Sequence, residues 1–259
     1  MDKVKYINHL GEEIDLRSGN IMSSYIALKN FVQSMSNNKL MSEGKSTPLS
    51  LVCLTKTDAN RLIDVLEKDS INNVYGKFYI NDWYIKVIYQ GINIIGEYGN
   101  KIKLEVSLFA EDTLFTKETE YTLVPAQTTA KKGFNFPFNF PFNFSADALS
   151  SASVRNKELL NADFILKIDK PVSEVSVIIG DNSYIVDTSI NDGDVFVLNT
   201  EEKKVYKNTS QGTVSVLGVA DDTSYIFNTI PNGEYKVSWF GDFPLYITLL
   251  EHRRTPTWI

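Results

Sequence analysis

Between Gly133 and Phe144 the chain reads Gly-Phe-Asn-Phe-Pro-Phe-Asn-Phe-Pro-Phe-Asn-Phe. Pro137 and Pro141 bar a helix, because each lacks an N–H donor and clashes with the preceding turn. They also exclude a central strand, where each would break the ladder of hydrogen bonds. An extended chain remains. Its side chains alternate, so Phe134, Phe136, Phe138, Phe140, Phe142 and Phe144 fall on one side, with Asn and Pro on the other. Fully extended, this ladder of rings is about 35 Å long. Burying each ring contributes roughly 1.5–3 kcal/mol, and leaving all of them in water would invite aggregation. They must cover the chain's own two domains or a neighbouring subunit. A linker has few surfaces of its own to cover, which favours a subunit contact. These six residues are the candidate subunit or interdomain interface.

The same segment divides the chain. Pro125 to Ala130 is polar and turn-like, and Ser145 to Ser153 is rich in Ala and Ser. We therefore expect a first domain over 1–124, a linker over 125–160 and a second domain over 161–259. In the last of these, strands recur about every ten residues, centred on Ile165, Val177, Tyr184, Val195, Val205, Val214, Tyr225, Val237 and Tyr246. Turn signals such as Gly180-Asp181-Asn182, Asn191-Asp192-Gly193-Asp194 and Pro231-Asn232-Gly233 separate them. Short, evenly spaced strands without helical periodicity point to a β-sandwich that should fold alone.

The first half is mixed, with strands dominant. Thr57 to Lys68 is the clear helix: Ala59, Leu62, Ile63 and Leu66 make one face, Thr57 serves as N-cap and Asp58 sits in the first turn. From Leu28 to Met35 the signals conflict. Tyr25, Leu28, Val32 and Met35 fit a helix face, yet Asn37-Asn38 and the following Lys39-Leu40-Met41 favour a hairpin, the reading adopted here. Leu49 to Leu54 reads as a short buried strand after Pro48. Lys77 to Gln90 reads as a hairpin with Asn81-Asp82 at its tip, and Gly91, Gly96 and Gly99 mark a loop. Ile102, Leu104, Val106 and Leu108 alternate with Lys103, Glu105 and Ser107, the period of a half-buried strand. Lys101 to Ala110 is a candidate for extending a sheet across a subunit boundary.

Composition narrows the function. Of 259 residues, 26 are basic and 32 acidic, a net charge of −6 that gives no support to nucleic-acid or anionic-membrane binding. With 43% hydrophobic and 22% charged residues the composition is globular. No run of about 18 apolar residues is present, and the start lacks the apolar core of a signal peptide, so an unprocessed protein made in the cytoplasm is expected. Cys53 is the single cysteine, which excludes an intrachain disulfide and a cysteine-based zinc site; flanked by Val52 and Leu54, it reads as a buried inert thiol. His9 and His252 lie near opposite ends, and His252, within Glu251-His252-Arg253-Arg254, reads as part of a solvated polar cluster. No Gly-x-Ser-x-Gly elbow, phosphate-binding loop or dinucleotide fingerprint occurs. Asp187, Asp192 and Asp194 surround a turn, but their spacing is not that of an EF-hand. The expectation is a protein with no catalytic residues, no cofactor and no metal.

The arrangement resembles the distal tail protein (Dit) family of long-tailed phages that infect Gram-positive bacteria. The residues that carry the resemblance are the opening Tyr6 to Asp15, the aromatic-x-aromatic-Pro repeat at the domain junction, Ile179 to Ile185, and the close Trp239-Phe240-Gly241-Asp242-Phe243 with Glu251 to Trp258. Residues 16 to 48 match least. The resemblance implies a mainly β protein: a ring-forming N-terminal belt domain with one helix, and a C-terminal galectin-like β-sandwich. It implies a structural virion protein of the tail tip, a homo-hexameric ring joining the tail tube protein to the hub protein of the baseplate and to receptor-binding protein, with no membrane and no specific nucleic acid as partners. The galectin sugar motif, His-x-Asn-x-Arg, is absent from this sequence, so the sandwich by itself does not license sugar binding. The alternative reading is a carbohydrate-binding module or adhesin that uses the C-terminal sandwich.

Overall fold

The computed structural model describes residues 3–36, 44–125, 149–220 and 225–257. The chain packs as two compact units, Met1–Lys117 with His252–Ile259, and Glu118–Glu251.

The first unit contains β1 (Val4–Ile7), β2 (Glu13–Asp15), β3 (Ile21–Met22), α1 (Tyr25–Ser36), β4 (Lys45–Cys53), α2 (Lys56–Asn72), β5 (Gly76–Ile80), β6 (Trp83–Tyr98), β7 (Lys101–Ala110) and the start of β8 (Phe115–Leu123). One antiparallel ladder runs β2-β1-β5-β6 and a second runs β3-β4-β7-β6, so β6 belongs to both. In β7 the expected alternation holds: Ile102, Leu104, Val106, Leu108 and Ala110 are buried, while Lys101 and Lys103 face solvent. The buried faces of both ladders, with Leu28, Phe31, Val32 and Met35 of α1 and Ala59, Leu62, Val65 and Leu66 of α2, form one core.

Several expectations about this half need correction. There are two α-helices among the described residues, not one. Residues 25–36 are helical because burying Leu28, Phe31, Val32 and Met35 on one stripe outweighs the hairpin signal of Asn37-Asn38; Lys39 to Met41 lie outside the described residues. The second helix starts earlier and ends later than its periodicity suggested. Its N-cap is Thr55, whose Oγ1 accepts the Asp58 N–H at 3.1 Å and donates to the Asp58 carboxylate at 2.6 Å. The helix continues past Lys68 until Asn73 turns left-handed (φ 52) and its N–H returns to the last carbonyls. Pro48 lies inside β4 and not before it; β3 pairs only Val52 and Cys53, so most of that edge, Pro48 included, has no strand beside it among the described residues, and a missing donor is tolerated there. The hairpin tip at Asn81-Asp82 is as expected, with Asn81 left-handed (φ 55). Gly91 and Gly96 do not form a loop: β6 passes through both, and each follows a β-bulge, at Tyr89/Gly91 and Ile94/Gly96.

The second unit has the remainder of β8, then β9 (Leu149–Asn156), β10 (Asp163–Ile168), β11 (Val175–Ile179), β12 (Asn182–Val186), β13 (Val195–Asn199), β14 (Lys204–Thr209), β15 (Gly212–Ser215), β16 (Gly233–Phe240) and β17 (Leu245–Arg253). One ladder is ordered β15-β14-β13-β10-β17 and the other β12-β11-β16-β9. Their facing side chains, among them Phe164, Val177, Tyr184, Phe196, Trp239 and Ile247, make a second core. This is the all-β packing expected for the C-terminal half. Tyr225 is not in a strand; residues before it include a short 3₁₀ turn, Leu217–Val219. The unit also begins earlier than 161. β9 pairs with β16 at eight positions, and Leu123 and Val154 lie in this core. From His252 onward the chain belongs to the first unit.

Candidate functional site

The six phenylalanines Phe134 to Phe144, which the sequence marks as interface residues, lie outside the described residues. Within the described ones, the feature with the chemistry of an interface is the distal half of β6. Trp83 to Val87 pairs with β5, and Tyr84 also pairs with Thr116 of β8. From Ile88 to Tyr98 the only strand beside β6, among the described residues, is β7. α2 lies along this stretch: the Ser70 hydroxyl donates to the Tyr89 carbonyl near one end, and Lys56 Nζ is 3.5 Å from Glu97 near the other. The helix satisfies the Tyr89 carbonyl, but among the described residues no strand covers the edge beyond it. The side chains there are apolar and exposed, with Ile94 58%, Ile95 46% and Tyr98 73% accessible. Ile94 stands opposite Leu104 and so shares its face, yet Leu104 is buried and Ile94 is not. A long strand edge bearing apolar side chains is a template for another strand. Two helical residues, Ile26 and Ile71, add further exposed apolar surface to this unit.

β7 is not the strand that could extend a sheet across a boundary, contrary to expectation. It is paired on one side with β4 from Lys45 to Cys53 and on the other with β6. Its well-formed alternation is that of an interior strand, whose backbone donors and acceptors are already used. The open edge belongs to the neighbouring Gly91-Ile92-Asn93-Ile94-Ile95-Gly96, which the glycines had marked as loop. The alternation of Ile92 and Ile94 was the signal that could have revealed a strand there.

The histidines are brought into structural roles and not towards each other. His9 donates its backbone N–H to Asp69 Oδ1 at 2.9 Å, and its ring Nδ1 meets the same oxygen. The Tyr6 hydroxyl donates to the other oxygen of Asp69, a residue with no solvent exposure. Burial, and then the adjacent carboxylate, push the Tyr6 hydroxyl's pKa far above its ordinary value, so it stays a donor. Gly76 is required at this point, since a Cβ there would collide with Tyr6 Oη and Asp69 Oδ2. Sequence reasoning missed this cluster because its members are scattered over β1, the following turn and α2. His252 is not solvated: it and Glu251 are buried. The ring Nδ1 of His252 lies 3.1 Å from the Thr116 hydroxyl, and Glu251 accepts from Thr119 Oγ1 at 2.8 Å and from the Lys157 N–H at 3.1 Å. As neighbours in β17 the two side chains point to opposite faces, and both are buried, which the local charge of the tail concealed.

Cys53 is fully buried, as expected, and burial pushes its thiol up to about 11, with the charge of Asp58 adding to the effect. In the turn before β13, Asp194 accepts from the backbone N–H and the side-chain amide of Asn191, each at 3.2 Å, which is the work of a turn residue.

The comparisons with known proteins follow this geometry. No protein-family profile matches the chain, and no curated protein does. Solved structures do match. The crystal structure of the SPP1 Dit protein aligns with a TM-score of 0.52 at 12% identity, over 98% of this chain and 99% of that one. A chain of the phage P2 baseplate, in its activated conformation with calcium, aligns with a TM-score of 0.62 at 10% identity, over 99% and 100%. The phage p2 baseplate in its activated conformation with strontium gives 0.60 at 10% identity, again over 99% and 100%. The chain has the Dit fold. At these identities what is shared is the backbone architecture, end to end, and the architecture includes both units. SPP1 Dit is described as a paradigm of the hub adsorption apparatus of phages infecting Gram-positive bacteria.

Proposed function

We propose that this chain is a structural protein of a phage tail tip, which forms a hexameric ring joining the tail tube to the baseplate hub and to receptor-binding parts. The observation that carries the reading is the end-to-end match of both units to Dit and baseplate chains. The open edge of β6 supports it physically. A ring is a closed set of heterologous contacts, in which one surface of a subunit meets a different surface of the next. Along Gln90 to Tyr98 the edge away from β7 has no strand beside it among the described residues, and it bears apolar side chains. The role is geometric and needs no reacting group. His9 and His252 are accordingly tied into the packing of the first unit by Asp69 and Thr116.

The Phe134–Phe144 ladder is part of the same proposal: at least some of its rings bury against a neighbouring subunit. Replacing Phe136, Phe138, Phe140 and Phe142 together by Ser removes several kcal/mol of apolar burial, on the scale of roughly 1.5–3 kcal/mol per ring. Each unit has its own core of described residues, so both should stay folded. Light scattering on the wild type and this quadruple variant is the test. The expected result is weakened assembly of folded subunits; unchanged assembly would confine the ladder to a single chain.

A further inference from the structure

The second unit holds a cavity of about 330 Å³ between the β11–β12 turn and the segment that leads into β16. That volume is at the small end of the range for ligand pockets, about 300–1,000 Å³. Its wall combines Asp181 and Asn182 from the turn, Asn228 from the facing segment, and the rings of Tyr184 and Tyr235, with Ile179 at the base.

These groups are held in place by the fold. Gly180 adopts a left-handed φ of 59°, and its N–H bonds to the Lys236 carbonyl at 2.8 Å, which fixes the turn that carries Asp181. A Cβ at Gly180 would come within 2.8 Å of Tyr235 Cδ1, so the missing side chain is what seats that ring. The Tyr184 hydroxyl donates to the Asn228 carbonyl at 3.0 Å, and the Asn182 amide donates to the Tyr225 carbonyl at 3.3 Å. These bonds use the backbone of Asn228 and leave its amide nitrogen, with the exposed Asp181 carboxylate, without a hydrogen bond to other described residues.

We propose that this cavity binds a neutral saccharide ring. A carboxylate presents two acceptors side by side, which suits two neighbouring sugar hydroxyls, and an amide both donates and accepts. The half-buried Tyr235 ring supplies an apolar surface for the C–H face of the sugar, backed by the buried Tyr184. Other classes of ligand fit less well. Among the described residues, the sole charged side chain on the wall is negative, so phosphate and other anions are repelled. One carboxylate is too few for a divalent cation, which takes six or more oxygens. A purely apolar ligand would strip water from Asp181 without replacing its hydrogen bonds. The inference stands on the second unit alone and does not depend on the tail-tip reading.

The experiment is saturation-transfer NMR on the full chain with glucose, galactose, N-acetylglucosamine and rhamnose, each tested separately, and with inorganic phosphate in competition. Transfer to the ring protons of at least one sugar is expected, unaffected by phosphate. Asp181→Ala should weaken that binding by about tenfold or more, the scale of losing a charge-assisted hydrogen bond. Asp181 is an exposed turn residue, so this variant keeps the fold, which its melting curve verifies. Asn228→Ala should weaken binding as well, and Ser153→Ala, outside the cavity wall, should not. No transfer to any of the four sugars, transfer that survives both cavity variants, or displacement by phosphate would each overturn the proposal.

Discussion

The two halves of β6 belong to one strand, the distal one bulged twice, and have opposite surroundings. Trp83, Ile85, Val87 and Tyr89 are buried, with β5 or α2 on one side and β7 or β8 on the other. Ile94, Ile95 and Tyr98 carry exposed apolar side chains on a stretch that, among the described residues, is bonded to a strand along one edge only. The difference lies in where the remaining elements reach. β5 ends its pairing at Val87, and Ser70 makes the last observed hydrogen bond to that edge, at the Tyr89 carbonyl. Up to that point apolar residues stabilise the monomer, and beyond it the same kind of residue is left exposed. Apolar character alone thus does not tell whether a strand residue is buried; the reach of the neighbouring elements decides it.

That contrast can be broken first in the proximal half. Ile85→Ala removes a buried side chain from the core and should cost about 2–5 kcal/mol in chemical denaturation. A loss below 1 kcal/mol would mean that the proximal half is no better covered than the distal one. The next effect belongs to the buried cluster that ties β1 to α2. Tyr6→Phe leaves one oxygen of Asp69 without its donor and should cost about 1–3 kcal/mol. A neutral result would show that the Asp69 carboxylate finds another partner.

Much of this architecture is legible in the sequence, and the failures have physical causes. Alternation over Lys101 to Ala110 gives β7, and Asn81-Asp82 gives the β5–β6 hairpin, because both signals are local. The helix at Tyr25 was obscured by turn residues that follow it, since periodicity cannot state how far an element runs. Gly91 and Gly96 suggested a loop because glycine marks turns and bulges alike, and only pairing with β7 tells them apart. The buried Glu251 and His252 looked solvated because they neighbour Arg253 and Arg254, while the partners that bury them are over a hundred residues away. The choice of β7 as the strand to cross a boundary failed for a related reason: a regular strand pattern reports burial of a face, never vacancy of an edge.

Where the second unit begins can be sharpened by truncation. A fragment starting at residue 161 was expected to fold alone, but it lacks β9, which covers one edge of β16 at eight positions, and Leu123 and Val154 from the core. Such a fragment should unfold at lower denaturant concentration than one that begins at Glu118. Equal midpoints would show β9 to be dispensable.

A smaller effect concerns pH. Burial raises the Cys53 thiol from about 9 to about 11, so the fold favours the neutral thiol. The stability contributed by this group is complete below pH 9 and is lost as pH rises towards about 11. Cys53→Ala should flatten that part of the stability curve, while an unchanged slope would assign it to other groups. The smallest expected change in stability is at the distal edge itself. Ile94→Lys should alter the folding free energy of the isolated subunit by no more than about 0.5 kcal/mol, because the site is exposed.

The most direct test of the contrast is the mass of the assembled protein, measured by native mass spectrometry for the wild type and for the double variant Ile94→Lys, Ile95→Lys. Lysine on an open strand edge opposes pairing with another strand. On the proposed function, the wild type should show a closed ring of about 176 kDa, six copies of the 29.3 kDa chain, either alone or as the part contributed by this chain to a complex with tail tube and hub proteins. The double variant should stay at 29.3 kDa with an unchanged melting curve. A variant that still assembles, or a wild type that remains monomeric even with tail tube and hub proteins present, would contradict the assignment of the distal half of β6 to a subunit contact.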